Sequence, residues 1–382
     1  MSWNQQLVKV NNKLLVLQLI KSSAPLSRAD ISQRSGLTKG TVSSLVNELI
    51  AENLCYESGP GESSGGRRPV MLLFNETAGY SIGIDVGVNY ILGILTDLNG
   101  NIILETNKKI DGIGYGDVLL LIKEVIQHLL DTTPPSEYGV VGIGIGVPGI
   151  VNHDGKVLLA PNLGWKNIQL KEELEMIFNL PVTIENEANA GAYGEKQFGA
   201  GQEFKNMVYV STGIGIGVGF ILNNELYRGS HGFSGEMGHM IIEVNGKPCR
   251  CGSEGCWELY ASEQALLQQA SEITPAPTLE GLVELIPEDE QIKNLFKNVG
   301  TYLGLGLNNI INTFNPDQVI IGNRMAMARD TLLPEINKVI ESHSLKQHQS
   351  NLQIAFSQLT IYSAALGVSA FVIEEFIKKE NR

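Results

Sequence analysis

The sequence predicts an α/β protein: a small winged helix-turn-helix head at residues 1–74, followed by a larger body built from two α/β lobes. Three observations carry this. Two short capped helices near the N-terminus are followed by a strand–turn–strand pattern. In the body, YSIGIDVGVNYILGILTDLNGNIIL and MVYVSTGIGIGVGFILNNELY share one plan: strand, Gly-bearing turn, strand, Asn-centred turn, strand. Helical stretches at 116–130, 168–178, 188–198, 262–271, 292–314 and 364–379 fall between and after these copies. A duplicated lobe with a cleft between the copies is the economical arrangement, each Gly-rich turn facing the cleft.

At 382 residues the chain has room for two or three domains and a well-buried core. The N-terminus lacks the basic start and long apolar run of a signal peptide. The most apolar stretch, VVGIGIGVPGIV from Val140, is too short and too rich in Gly and Pro to span a bilayer. A cytoplasmic protein with no membrane partner is the expectation. Net charge is -13, which disfavours nucleic acid for the chain as a whole. The charge is unevenly placed, however. Residues 1–74 carry eight Lys/Arg against five Asp/Glu, and the remainder 20 against 36. Any DNA contact must come from the head.

Within the head, Leu7 to Lys21 carries Val10, Leu14, Leu17, Leu19 and Ile20 at helical spacing and ends in SSAP. LSRADISQRSG follows, with Ser27 and Asp30 as a capping-box-like start and Gly36 as the stop. LTKGTVSSLVNELIAENL is the next helix, N-capped by Thr38. Val42, Leu45, Val46, Leu49 and Ile50 form one apolar stripe. The opposite face offers Gly40, Ser43, Ser44 and Asn47, with Lys39 at its N-terminal edge. Small side chains permit close approach to a major groove, and Asn can read adenine. An ordinary helical hairpin is the bland alternative. LCYESGPGESSGGRRPVMLLFN then reads as a wing whose tip carries Arg67 and Arg68, suited to phosphate or the minor groove, or else as a solvated linker. The candidate DNA contacts are Ser27, Thr38, Lys39, Gly40, Thr41, Ser43, Ser44, Asn47, Arg67 and Arg68.

GHMIIEVNGKPCRCGSEGCWE gathers His239, Cys249, Cys251 and Cys256 within a short Gly-rich loop. One imidazole and three thiolates make a closed tetrahedral zinc site of structural type; the competing reading is three unconnected thiols. Cys55, alone near the wing, reads as a small buried apolar residue. Glu236 and Glu258 bracket the metal loop, IENEANAGAYGE supplies Asn186, Glu187 and Asn189, and PNLGW supplies Asn162. Carboxylates and amides with little positive charge suit a neutral polyol better than a phosphate, although helix capping and surface solvation use the same residue types.

GIDVG, GVPGIV, PNLGW, ENEANA, STGIGIGVG, GEMGH, CRCGSEGCWE and NPDQVIIGN occur in that order. With them the chain resembles the ROK family (repressors, open reading frames and sugar kinases) over nearly its whole length. The resemblance implies an actin-like, ribonuclease H-like duplicated fold, the first lobe at 75–190 plus 364–382 and the second, with the metal loop, at 191–363. It implies zinc on His239, Cys249, Cys251 and Cys256. It also implies a sugar between the lobes, contacted by Asn162, Asn186, Glu187, Glu236, His239 and Glu258. A homodimer is implied, with a tetramer left open.

The chain departs from the family's kinases on the nucleotide side. They carry Gly-Gly-Thr after the first aspartate, where Gly87 is followed here by Val88 and Asn89. The second turn reads Ser211-Thr212-Gly213-Ile214-Gly215-Ile216-Gly217, and Gly322 is followed by Asn323-Arg324 in place of Gly-Gly. Glu187 stands at the position of the catalytic aspartate, a degenerate base, so no catalytic residue is expected. Within the family the winged head looks like the repressor branch. The expectation is a non-enzymatic regulator that holds operator DNA and is released by a sugar, with xylose as the expected effector. A pentose would offer no C6 hydroxyl as acceptor. A repressor of an N-acetylated sugar, or an active ATP-dependent sugar kinase with an appended head, are the competing expectations.

Overall fold

The computed structural model describes residues 3–60, 69–110, 112 and 114–380. The head comprises α1 (Trp3–Ser23), β1 (Leu26–Ser27), α2 (Arg28–Ser35), α3 (Lys39–Ala51), β2 (Cys55–Pro60) and β3 (Val70–Phe74). Strand β3 lies between β1 and β2 and is antiparallel to both. The sequence signals act as their chemistry requires. Ser27 and Asp30 form a reciprocal capping box, and Gly36 ends α2 at φ 72°. Val42, Leu45, Val46 and Leu49 bury the inner stripe of α3 against Val16, Leu17, Ile20 and Ile31. Cys55 is buried in the same core, and burial pushes its thiol up to about 12.

The body contains two five-stranded sheets of one topology. The first lobe runs β4 (Tyr80–Val86), β5 (Tyr90–Asp97), β6 (Ile102–Lys109), α4 (Tyr115–Asp131), β7 (Val140–Val147), β8 (Ile150–Val151), β9 (Val157–Ala160), β10 (Trp165–Ile168), α5 (Leu170–Phe178) and β11 (Val182–Asn186). Its main sheet has the order β11-β7-β4-β5-β6, while β8, β9 and β10 form a small sheet of their own.

Helix α6 (Glu187–Phe198) leads into the second lobe, which opens with β12 (Met207–Thr212), β13 (Ile216–Leu222) and β14 (Glu225–Leu226). It continues through α7 (Glu258–Ala261), α8 (Glu263–Ala270), α9 (Leu279–Leu285), α10 (Glu290–Phe314), β15 (Gln318–Gly322), α11 (Arg329–His343), α12 (Lys346–Gln349) and β16 (Gln353–Phe356). Its sheet has the order β14-β13-β12-β15-β16. In each lobe a three-stranded antiparallel meander is extended by two parallel strands. The repeated plan in the sequence is therefore a repeated topology in space.

Helix α13 (Ser363–Glu380) packs against the first-lobe sheet, α6 and the head. It lies on β4 and β7 of the first lobe and crosses α6, which packs on β12 and β13 of the second. Glycines permit that seat. A Cβ on Gly83 would stand 2.1 Å from the Ala365 carbonyl oxygen, and one on Gly144 2.4 Å from that of Val368. At the α6 crossing, a Cβ on Gly194 would stand 2.1 Å from the Ser363 carbonyl oxygen. One on Gly367 would stand 1.8 Å from that of Ala190. The last turns of α13 carry Ile373, Phe376 and Ile377 into the core of the head. Tyr138 packs edge-on against Phe376 and donates its hydroxyl to the Glu52 carbonyl at 2.8 Å. Thr360–Glu380 is long and apolar enough by composition to cross a membrane, but 67% of that window is buried inside the fold.

Helix α11 has no clear signal in the sequence, because Pro334 interrupts its periodicity. Leu332, Ile336, Val339 and Ile340 nonetheless bury against α10, where Gly304 admits Val339.

Gly367→Ala is expected to destabilise the protein by about 3 kcal/mol through overpacking at the helix crossing, measured by denaturant unfolding. A second expectation concerns Lys21, whose ammonium donates to the Leu98 carbonyl at 2.7 Å at the joint of head and body. Burial lowers its pKa from 10.5 to about 8, against the opposing pull of Asp97 and Glu374. Because the folded value lies below the unfolded one, the penalty is full below the folded pKa and fades as pH rises towards the unfolded one. The wild type should therefore gain stability relative to Lys21→Met between about pH 7 and about pH 9.5 in urea unfolding. An unchanged difference would contradict the burial of that charge.

Candidate functional site

The outer face of α3 is open. Thr38, Lys39, Gly40, Ser44 and Asn47 are exposed, while Thr41 and Ser43 are half-buried. Thr38 caps the helix, its hydroxyl accepting from the Thr41 backbone N–H at 3.2 Å. Ser27 does not belong to this face: it is 4% exposed, and its hydroxyl is engaged by Asp30. Arg67 and Arg68 lie outside the described residues. Arg28, which sequence reading passed over, stands beside the face with Nη2 donating to Asn47 Oδ1 at 3.1 Å and Nη1 paired to Glu57 at 2.8 Å. An arginine opening a helix carries no distinguishing mark in sequence.

Between the lobes lies a cleft of about 720 Å³, and Asn162, Asn186, Glu187, Glu236, His239 and Glu258 all line it. Asn186 is also the N-cap of α6. Its Oδ1 accepts from the N–H groups of Ala188 and Asn189, and its Nδ2 donates to the Gly149 carbonyl at 2.8 Å. Among the described residues, one amide N–H of Asn186 remains for a ligand. Glu258 opens α7 behind Trp257, whose ring is fully buried against Gly306 and whose indole N–H bonds the Tyr302 carbonyl at 2.8 Å. That anchor sets the Glu258 carboxylate over Gly215, where a Cβ would stand 2.8 Å from Oε2.

His239 ends a short 3₁₀ turn, Glu236–His239, and its two ring nitrogens face different ways. Nδ1 is 3.7 Å from Cys249 Sγ and 3.5 Å from Glu258 Oε1, whereas Nε2 is 4.0 Å from Glu236 Oε2. Cys251 Sγ and Cys256 Sγ are 3.6 Å apart, and the donor atoms of all four residues lie within 4.8 Å of one another. Nitrogen and sulfur donors around one tetrahedral metal stand about 3.4–3.8 Å apart. Burial pushes the Cys256 thiol up to about 12, so a thiolate there needs a cation beside it. The cluster can hold a metal ion.

The other half of the cleft is lined by side chains that pair with one another. Val88 lines the cleft, but the group over Gly87 is the Tyr90 ring, 2.2 Å from where a Cβ would be. The Tyr90 hydroxyl donates to Asp85 Oδ2 at 2.6 Å. Asp85 is 1% exposed, and its Oδ1 has no partner among the described residues. Burial, reinforced by the nearby Glu187 charge, raises its pKa well above the carboxylate range. Glu187 is raised as well, chiefly by lost hydration, although Ser211 Oγ at 2.7 Å and Asn323 Nδ2 at 3.3 Å both donate to its Oε1. Arg324 is ion-paired, with Nε on Glu263 at 2.9 Å and Nη2 on Glu280 at 3.1 Å. Of the three turns that would have to approach a nucleotide, the first thus carries a tyrosine ring and the third an amide and an ion pair. Asp85 and Tyr90 were missed as site residues because their pairing across a turn is visible only in space.

Comparison with known proteins agrees with this geometry. Residues 81–375 match the model of the ROK family, and residues 11–54 match that of a winged helix-turn-helix DNA-binding domain. A xylose repressor from Bacillus spizizenii is 48% identical over 370 residues, covering 97% of this chain and 96% of the relative. Among solved structures, a ROK family transcriptional regulator, homologous to the Escherichia coli MLC protein, superposes with a TM-score of 0.82 at 30% identity. That match covers 97% of this chain and 99% of the other. A ROK family glucokinase from Streptomyces griseus, in complex with glucose and AMPPNP, has a TM-score of 0.70 at 28% identity, over 77% of this chain and 99% of its own. The two structural matches differ in extent, 97% of this chain against 77%. This chain belongs to the ROK family.

Proposed function

We propose that the protein is a cytoplasmic, sugar-responsive transcriptional repressor. It holds operator DNA through α3 and the wing as a homodimer and is released by xylose bound in the interlobe cleft, with no phosphoryl transfer. One observation carries the reading: the polar residues suited to a polyol line the cleft, while on its nucleotide side Tyr90 overlies Gly87 and Asn323 and Arg324 are engaged by Glu187 and Glu263. The xylose repressor relative supports the choice of sugar. The lobes are taken as 75–190 plus 364–382 and 191–363, with the cleft between them.

The residues divide the work. Asn162 and Asn186 offer amides, while Glu187, Glu236 and Glu258 accept from sugar hydroxyls, and His239 Nε2 faces the same space. The metal is zinc, held by His239 Nδ1, Cys249, Cys251 and Cys256. It fixes the loop between Glu236 and Glu258 and supplies no chemistry, because all four positions are taken by protein. Closure of the lobes on a sugar shifts the seat of α13, whose far end is packed into the head. The two α3 helices of a dimer then lose their half-site spacing.

Operator binding measured with and without xylose, glucose and N-acetylglucosamine tests this. Xylose is expected to weaken it about a hundredfold, which needs a coupling of about 2.7 kcal/mol. No response to any of the three sugars, or steady ATP-dependent phosphorylation of one, would overturn the reading. For the metal, Cys251→Ser is expected to lose one equivalent of zinc and to weaken xylose binding at least about tenfold, while the head keeps its helicity. Full xylose affinity without zinc would remove the metal's structural role.

A further inference from the structure

Arg250 lies between two residues of the metal cluster, Cys249 and Cys251, and was not among the residues read from the sequence as ligand contacts. Its backbone is tightly held. Cys249 N–H donates to the Ser253 carbonyl at 2.8 Å, and Gly252 N–H donates to the Cys249 carbonyl at 3.0 Å. From this turn in the second lobe the side chain crosses the mouth of the cleft, and Nη1 donates to Oδ1 of Asn162 in the first lobe at 3.3 Å. Two arginines line the cleft, and Arg324 is already engaged by Glu263 and Glu280. Arg250 is therefore the cation at the mouth whose remaining donors are uncommitted among the described residues.

A guanidinium only donates, so the group it meets on Asn162 must be the amide oxygen. The amide nitrogen then faces the other way, 3.9 Å from where a Cβ on Gly215 would stand, the same point that Glu258 Oε2 approaches to 2.8 Å. We propose that Arg250 is a positioning residue: it orients the Asn162 amide so that Nδ2 offers a hydrogen-bond donor to a sugar hydroxyl beside the Glu258 acceptor. The need for such a donor follows from the rest of the site. Glu236 and Glu258, when ionised, only accept, whereas each sugar hydroxyl both donates and accepts. Without Arg250 the amide is free to turn and present its oxygen to Glu258, leaving two acceptors facing each other.

This inference rests on the sugar-binding reading above. Its test is calorimetric titration of the full zinc-loaded chain with xylose, for wild type, Arg250→Ala, Arg250→Lys, Asn162→Ala and the Arg250→Ala/Asn162→Ala double variant. Zinc content and thermal stability are followed in parallel. Arg250→Ala is expected to weaken xylose binding about tenfold with zinc and stability unchanged, and Arg250→Lys to recover part of the loss. The double variant is expected to bind no more weakly than Asn162→Ala alone, because the arginine acts only through that amide. Wild-type affinity in Arg250→Ala, additive losses in the double variant, or loss explained by missing zinc would each overturn the inference. A wild type that binds no sugar would instead overturn the function proposed above.

Discussion

The structure depends on the close seating of α13 against glycine. Gly83 and Gly144 let its backbone lie directly on the first sheet, and Gly194 and Gly367 let it cross α6, which rides on the second. At that crossing Glu195, wholly buried, accepts from Ser363 Oγ at 2.9 Å, so the start of α13 is also fixed by hydrogen bonding. Opposite, Arg228 of the second lobe meets Glu185 of β11 at 2.7 Å and stacks its guanidinium over Phe371 of α13. A helix packed this closely has few intermediate positions, since close-packed interfaces shift between discrete arrangements more readily than they deform. Whatever moves one lobe against the other must move α13 or break its seat.

The far end of the same helix makes the head part of the body. Ile373, Phe376 and Ile377 share a core with Leu17, Leu45 and Leu49, and among the described residues that cluster is the core of the head. The head is therefore not a module on a free linker: its orientation is set by apolar packing that any shift of α13 must disturb. This is the physical route by which a cleft built for a small neutral ligand can govern the placement of α3. On the nucleotide side of the cleft the polar side chains are meanwhile paired with one another. A tyrosine hydroxyl lies on Asp85, hydroxyl and amide donors on Glu187, and a guanidinium on the buried Glu263. Those pairings engage Tyr90, Glu187 and Glu263 and leave Asp85 Oδ1 without a partner among the described residues.

What the sequence disclosed was local. The Ser27–Asp30 box, the stripe of α3, the duplicated meander and the clustered His239, Cys249, Cys251 and Cys256 all depend on residues close in the chain, where spacing states geometry. Other features stayed hidden because their partners are distant: 136 residues separate Asn323 from Glu187, 61 separate Arg324 from Glu263, and 88 separate Arg250 from Asn162. Residue type alone also misassigned one role and blurred another. Ser27 is a buried cap and not part of the exposed face, while Asn186 serves as cap and cleft wall at once. Helix α11 was masked by Pro334, whose local cost is outweighed by burial of Leu332 and Ile336 on α10.

If cleft and head are joined through one packed helix, the coupling must act in both directions with equal free energy. The most direct measurement is the affinity for xylose in the absence and in the presence of saturating operator DNA. Operator is predicted to weaken xylose binding by the same factor by which xylose weakens operator binding. Equal xylose affinity in the two conditions would contradict the account, whatever the cleft was found to bind.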